Sequence, residues 1–317
     1  MTTQRVSVVV TTYRRDDMLK QCLESLAAQT LPLHEVVVVD DGGNGSARAV
    51  VETFGERFRY LWQPNGGMQR ARNVGAKAAN GEWVAFLDDD DLWLPQRHTL
   101  LAQVIATGKV DLIASDFIKF GEGWVSPTGV FQEIGQQSPG FWDDITHEYG
   151  TKYSIVGSFP TIRLLPVTPF WPSALTIQRK LFDQIGGWNE ELKGYKAEDI
   201  EFIFRAIKRA QFALIWEPTV KYRCHAGNDS ISEIDVALGR VHIWKTLLSK
   251  YEFSDYEIEE LKTHIDIYLH KIIWSAFNQN RFDIVITTAN IINYKNLNRI
   301  EKIKIVISKI LVVVKIN

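Results

Sequence analysis

Three short apolar runs, each ending in polar or acidic residues, constrain this chain more than any other feature. Val6 to Val10 leads into Thr11-Thr12-Tyr13, Val36 to Val39 into Asp40-Asp41-Gly42-Gly43, and Trp83 to Leu87 into Asp88-Asp89-Asp90-Asp91. A run that is apolar at every position, as Val36 to Val39 and Trp83 to Leu87 are, is buried on both faces, the condition of a central strand in a parallel sheet. Between the runs lie helical spacings, with Met18, Cys22, Leu23 and Leu26 on one face and Gln69 to Ala79 as a second helix. Tyr60-Leu61-Trp62 reads as a further short strand. The alternation is that of an α/β fold with a mixed, mostly parallel central sheet. Open sheets of this kind bind ligands outside the carboxyl ends of their strands, so the polar strand ends mark the expected site.

Residues from about 117 to 172 are rich in Gly, Pro and aromatics and weak in periodicity, which predicts irregular structure with short strands over the site. Leu175-Thr176-Ile177 and Lys180 to Ile185 resume a regular pattern, and Ile200, Ile203, Phe204 and Ile207 mark one face of a helix. After about residue 231 Gly and Pro almost vanish and the apolar residues take helical spacing. The reading is a domain over 1–232 followed by a helical C-terminal extension over 233–317, membrane-peripheral or oligomerising.

A hydrophobic content of 45% with 23% charged residues allows a sizeable core, and a formal net charge of −2 gives no reason to expect nucleic acid as a partner. Phosphate binding must come from a local site. Cys22 and Cys224 are too far apart for a metal or redox pair and are expected to be small buried residues. The polar stretch Met1 to Arg5 carries no leader signal, and no apolar stretch approaches the roughly 20 residues that cross a bilayer. The expected compartment is the cytoplasm, with the inner face of the membrane as a peripheral alternative.

Four adjacent carboxylates, Asp88 to Asp91, repel one another unless a cation or hydrogen-bond donors compensate. Strand alternation would point Asp88 and Asp90 the same way, where a hard divalent ion, Mg²⁺ or Mn²⁺, can sit between carboxylates and the oxygens of a diphosphate. The alternative is an acidic turn before a helix starting near Leu92-Trp93-Leu94-Pro95. Asp40-Asp41 can accept the imide N–H of uracil or close an Asx turn before Gly42-Gly43. Arg48 stands where a dinucleotide fingerprint would need its third glycine, which disfavours an NAD site. Glu198-Asp199 opens a helix, where acids complement the helix dipole or act as a general base. His225, after a strand-like Thr219 to Tyr222, is a structural histidine or a late metal ligand.

Taken together these segments resemble family 2 inverting glycosyltransferases of the GT-A fold. The resemblance is carried by Val6 to Tyr13, Val39-Asp40-Asp41-Gly42, Asn65-Gly66-Gly67 with Ala71 to Gly75, Gly81-Glu82-Trp83 with Phe86 to Asp91, Gly186 to Glu190 with Ala197-Glu198-Asp199, and His225 to Ser232. It spans residues 5 to 232. What it implies is a transferase that takes a sugar from a nucleotide-diphosphate donor, a UDP-sugar by default, to a hydroxyl of a glycan or lipid-linked saccharide. By the same resemblance Thr11, Tyr13 and Asp41 hold the nucleoside with Asp40 in support, and Arg14, Arg72, Asp88 and Asp89 lie on the donor. Asp90 is the direct ligand of Mn²⁺ or Mg²⁺, with His225 completing its shell. Asp199 is the catalytic base, beside Glu198 at the acceptor, and Trp171 and Trp188 line the acceptor side. Two other readings are a sugar-phosphate nucleotidyltransferase, which should carry a Gly-rich basic loop where this chain has Thr11 to Arg15, and a catalytically dead domain that binds glycans or nucleotides. From Arg299 onward five basic residues face a single acid, Glu301, among many apolar ones. That segment is expected either to lie on a membrane surface or to pack as a last helix or strand on the preceding helices or on a second subunit.

Overall fold

The computed structural model describes residues 5–145, 152–225 and 232–316. The chain divides into two compact units, Met1–Lys193 with Phe202–His225, and Gly194–Glu201 with Ala226–Asn317. The first begins with a strict alternation of β1 (Val6–Thr12), α1 (Asp16–Ala27), β2 (Glu35–Asp41), α2 (Ser46–Glu52), β3 (Phe58–Gln63), α3 (Met68–Ala78) and β4 (Trp83–Asp88). There follow β5 (Leu92–Trp93), α4 (Arg97–Ala106), β6 (Leu112–Gly121), β7 (Trp124–Val125), α5 (Val130–Gln137) and β8 (Tyr153–Gly157). Next come β9 (Leu175–Gln178), α6 (Arg179–Gln184), α7 (Asp199–Ile207), which starts in the second unit, and β10 (Phe212–Arg223).

The strands form one sheet in the order β3-β2-β1-β4-β9-β6-β10-β5, with β7 on β6 and β8 on β10. Its long ladders are parallel (β1 with β2 and β4, β2 with β3, β6 with β10), and the short ones through β9, β5, β7 and β8 are antiparallel. Val8, Val9, Val10, Val36 to Val39 and Val84 to Phe86 are fully buried, as strands covered on both faces require. Helix α3 closes on β1 and β2 at Gly75, where an added Cβ would lie 2.3 Å from Val9 Cγ1. Only glycine permits that approach.

The acidic turn is followed by a helix, but it starts two residues beyond the Leu92 to Pro95 segment. Leu92-Trp93 pairs with Lys221 and Val220 of β10, and α4 starts only at Arg97. Residues 117–172 are more regular than their composition suggests. β6 continues to Gly121, and α5 forms because Val130, Phe131 and Ile134 fall on one buried face. Phe131 packs 4.8 Å from the Trp142 ring and 5.8 Å from that of Trp216. Cys22 is buried as expected, but Cys224 is only half-buried, and both are free thiols.

β10 bulges against β6, so that the stretch between Ile215 and Val220 faces the single residue Asp116 between Ser115 and Phe117. Asp116 turns its carboxylate inward, where Oδ1 accepts the N–H groups of Phe117 at 2.7 Å and Phe131 at 2.9 Å. Burial pushes this acid up to about 7 from its usual 3.8. The native state therefore holds a proton there that the unfolded chain has already released. Stability due to Asp116 is full below about pH 4 and falls as the pH rises to about 7, at up to about 1.4 kcal/mol per unit. Denaturant melts of wild type and Asp116→Asn at pH 5 and pH 8 should show the variant gaining relative stability at the higher pH; a pH-independent difference would contradict the assignment.

The second unit is helical: α8 (Glu233–Lys250), α9 (Asp255–Asn278), α10 (Phe282–Ala289) and α11 (Arg299–Ile316). Ser232 caps α8, and Ser254 with Glu257 forms a capping box on α9. Ile243, Trp244, Leu247, Leu269, Ile272, Ile273 and Val285 are its core. Tyr195 stacks on His242 at 3.9 Å between ring centroids, joining the 194–201 segment to α8.

Candidate active site

Parallel pairing brings the ends of β1, β2 and β4 to one edge, with Thr12 opposite Asp40 and Thr11 opposite Asp88. β4 stops at Asp88, and Asp91 N–H closes a turn on the Asp88 carbonyl at 3.1 Å. The turn therefore places the aspartates after Asp88, and it separates Asp88 and Asp90 from Asp89 and Asp91 as strand alternation would.

Asp89 and Asp91 face inward. Asp89 accepts the Thr12 hydroxyl at 2.7 Å and Arg15 Nη1 at 3.3 Å. Burial first, and then the neighbouring Asp90, push it up to about 7. Asp91 accepts the Ser173 hydroxyl at 2.6 Å and the Arg223 N–H at 2.9 Å, and burial raises it well above the usual carboxylate range. Ser173 also accepts the Asp88 N–H at 3.1 Å, so one buried hydroxyl fixes both ends of the turn. Asp88 and Asp90 meet cations instead. Asp88 Oδ1 accepts Arg72 Nη2 at 2.7 Å, with the Thr11 hydroxyl at 3.5 Å. Asp90 Oδ2 accepts Arg15 Nη1 at 2.8 Å and lies 3.0 Å from His225 Nε2. The mutual repulsion of the run is relieved by two arginines, a histidine and inward hydrogen bonds.

Asp40 and Asp41 organise the neighbouring loops. Asp40 accepts the Gly43 N–H at 2.7 Å and the Tyr60 hydroxyl at 2.8 Å, the Asx turn. Asp41 accepts Gln63 Nε2 at 2.6 Å and the N–H groups of Gly66 at 2.7 Å and Gly67 at 2.8 Å. Of about four lone-pair positions on a carboxylate, one is left on Oδ2 for a ligand donor. Gly42, at φ 90°, lets the two loops meet, since a Cβ there would lie 2.7 Å from Asn65 N. Tyr13 is 44% exposed, and Arg14, held at φ 54°, places its guanidinium 5.1 Å from that ring.

Thr11, Arg72, Asp88, Asp89, Asp90 and His225 are thus gathered at one strand edge, with Asp41 at the end of β2 and Tyr13 and Arg14 in the loop after β1. Trp188 is elsewhere. It is buried, stacked on Phe202 at 3.9 Å, with Arg72 4.5 Å from its ring centroid, and so packs as core and offers no open ring to a sugar. Trp171 is half-buried, 4.8 Å from Tyr222 and 6.2 Å from Phe117. Glu198 and Asp199 are largely buried in the second unit, where Asp199 Oδ1 accepts the Ile200 N–H at 3.0 Å. The motif residues 226–231 lie outside the described residues. Arg15 and Ser173 were not singled out from sequence. For Arg15 a signal existed, since four adjacent acids demand cations and it lies in the short link between β1 and α1.

Among the described residues no three His, Cys, Asp or Glu side chains converge as a complete metal cluster. Asp90 Oδ2 and His225 Nε2, which lie within hydrogen-bond distance of each other at 3.0 Å, are of the donor types that could share a divalent ion. Two ligand atoms each about 2.1 Å from an octahedral ion and at right angles lie about 3.0 Å apart, and such ions keep several positions for phosphate oxygens and water.

The family described as Glycosyl transferase family 2 matches residues 7–159. Bacillus subtilis EpsJ, an uncharacterized glycosyltransferase, is 32% identical over 117 residues, which are 36% of this chain and 34% of EpsJ. The match thus spans about a third of that relative. An uncharacterized glycosyltransferase of Haemophilus influenzae is 29% identical over 234 residues, 72% of this chain and 71% of that protein. Among solved structures, S. aureus TarS in complex with UDP superimposes with a TM-score of 0.62 at 21% identity, covering 89% of this chain and 78% of that one. The fold is that of the GT-A glycosyltransferases.

Proposed function

We propose that this chain, which carries a family 2 glycosyltransferase domain, moves a sugar from a nucleotide-diphosphate donor to an acceptor hydroxyl and inverts the anomeric centre. The observation that carries the reading is the strand-edge cluster, in which Arg15, Arg72 and His225 lie on Asp88 and Asp90 beside Thr11 and an exposed Tyr13. The likeness to TarS, crystallised with UDP and with UDP-GlcNAc, supports a UDP-sugar as the default donor.

In this reading Tyr13 stacks on the base and the remaining lone pair of Asp41 accepts a base N–H. Arg15 and Arg72 exchange a carboxylate for the donor phosphates. Asp90 and His225 would hold Mn²⁺ or Mg²⁺, which when bound stabilises the charge that builds on the leaving diphosphate. Asp199 takes the proton of the acceptor hydroxyl. As the acceptor oxygen bonds to the anomeric carbon, the bond from that carbon to the diphosphate oxygen breaks and the diphosphate leaves with the electron pair. A single displacement inverts the centre. Trp171 and Glu198 are assigned to the acceptor, a glycan or a lipid-linked saccharide.

The nucleotidyltransferase reading is disfavoured by Thr11-Thr12-Tyr13-Arg14-Arg15, which is no Gly-rich loop. A calorimetric screen of nucleotide sugars, with products identified by mass, tests the assignment. Binding of a nucleotide sugar and release of its nucleoside diphosphate on adding a saccharide is the expected result. Formation of a nucleotide sugar from a nucleoside triphosphate and a sugar phosphate, or binding of glycan alone, would replace it.

A further inference from the structure

Helix α11 buries three polar residues beside Ile305 on its inward face and leaves most of its apolar residues outward, unlike an ordinary surface helix. Glu301, Lys304 and Ser308 are buried. Glu301 accepts His270 Nδ1 at 2.7 Å and Trp274 Nε1 at 3.1 Å. Lys304 Nζ donates to Asn278 Oδ1 at 3.4 Å and lies 4.3 Å and 4.0 Å from the ring centroids of Trp274 and Phe277. The outward face carries Ile300, Ile303, Val306, Ile307, Ile310 and Leu311, exposed by between 36% at Leu311 and 58% at Ile310. Rolling the helix to bury these residues would part Glu301 from His270 and Trp274, and Lys304 from Asn278 and the rings of Trp274 and Phe277. The orientation is fixed by chemistry, and the apolar face is left outward.

Helix α9 carries two more exposed apolar residues. Ile267 and Trp274, seven residues apart and so on one helix face, are 43% and 38% exposed, with the exposed Lys271 between them, and Trp274 touches α11 through Glu301 and Lys304. On α11 the rim is cationic, while on α9 the half-buried Asp266 beside Ile267 accepts Asn296 Nδ2 at 2.9 Å. Arg299 and Lys309 are exposed and Lys302 is half-buried, while Glu301, the only acid of α11, is sealed inward. A contiguous exposed apolar face with a polar rim marks a protein or membrane contact. Two copies of this face would bring cation against cation, whereas an anionic lipid surface meets them with opposite charge.

We propose that this face of the second unit rests on an anionic bilayer, its isoleucines at the acyl boundary and Arg299, Lys302 and Lys309 at the headgroup phosphates. It lies on the bilayer and does not cross it, for no described helix is long and apolar enough to span one. The proposal is independent of the reaction assigned above.

Flotation of the full chain with vesicles of 70% phosphatidylcholine and 30% phosphatidylglycerol tests it, against vesicles of phosphatidylcholine alone. Partition should be at least about tenfold stronger on the anionic vesicles and should fall by a similar factor in 0.5 M salt, about a 4 Å screening length. The combined variant Ile303→Gln, Ile307→Gln, Ile310→Gln should lose partition without a change in Tm, because all three side chains point outward. The salt series needs no variant and stands if this one misfolds. A chain that stays with the soluble fraction in every mixture, or floats equally on neutral vesicles, overturns the proposal. So does a lipid-free dimer in light scattering that the variant dissociates, which would assign the face to a second copy.

Discussion

Asp90→Asn should lower transfer by roughly 10²- to 10³-fold, the few kcal/mol that a metal's charge stabilisation supplies. Asparagine keeps an oxygen for Arg15 Nη1 and His225 Nε2, now at 2.8 Å and 3.0 Å from Asp90 Oδ2, so the turn should survive and the Tm should move little. What the amide loses is the anionic oxygen that a hard divalent ion prefers. Calorimetry should therefore find nucleotide affinity in the variant nearly the same with Mn²⁺ as with EDTA, while the wild type binds more tightly with the metal. His225→Gln should show a weaker form of the same pattern. If wild-type turnover in EDTA equals that in Mn²⁺ or Mg²⁺, the ion has no role and Asp90 is a counter-charge for Arg15 alone.

How far the site was legible follows from where its information sits. Three apolar runs specify β1, β2 and β4 because burial on both faces leaves no other arrangement, and once those strands are parallel neighbours their polar ends must meet. Which aspartate does what was not legible. Strand alternation separates Asp88 and Asp90 from Asp89 and Asp91, but β4 ends at Asp88, and the turn that follows decides that Asp89 meets Thr12 and Asp91 meets Ser173. Ser173 lies 82 residues from Asp91, and no local pattern encodes that pairing. Trp188 follows two glycines in a motif of the resembled family, but its burial depends on Phe202 and Arg72, which no spacing reveals. Helix α11 is the plainest case. Its wheel shows lysines on two faces, and only His270, Trp274 and Asn278 of α9 decide that the polar side turns inward.

Asp199→Asn should divide rate from binding. A general base contributes typically about 10²- to 10⁴-fold, so the amide variant should lose at least that much turnover. Its Oδ1 can still accept the Ile200 N–H that Asp199 accepts at 3.0 Å, so the start of α7 should hold and the Tm should stay near that of the wild type. Donor affinity should be nearly unchanged, because the base is assigned to the acceptor hydroxyl while the nucleotide is assigned to Tyr13, Asp41, Arg72 and the Asp88–Asp90 turn. A loss of donor binding alongside rate would instead make Asp199 part of the donor site. Glu198→Gln separates the neighbouring acid: it should raise the acceptor KM more than it lowers kcat. Stereochemistry supplies the sharper check. One displacement places the new bond opposite the old one, so the anomeric coupling constant of the product in proton NMR should be that of the inverted sugar. A retained configuration would falsify the single back-side displacement, since that attack can only invert the centre.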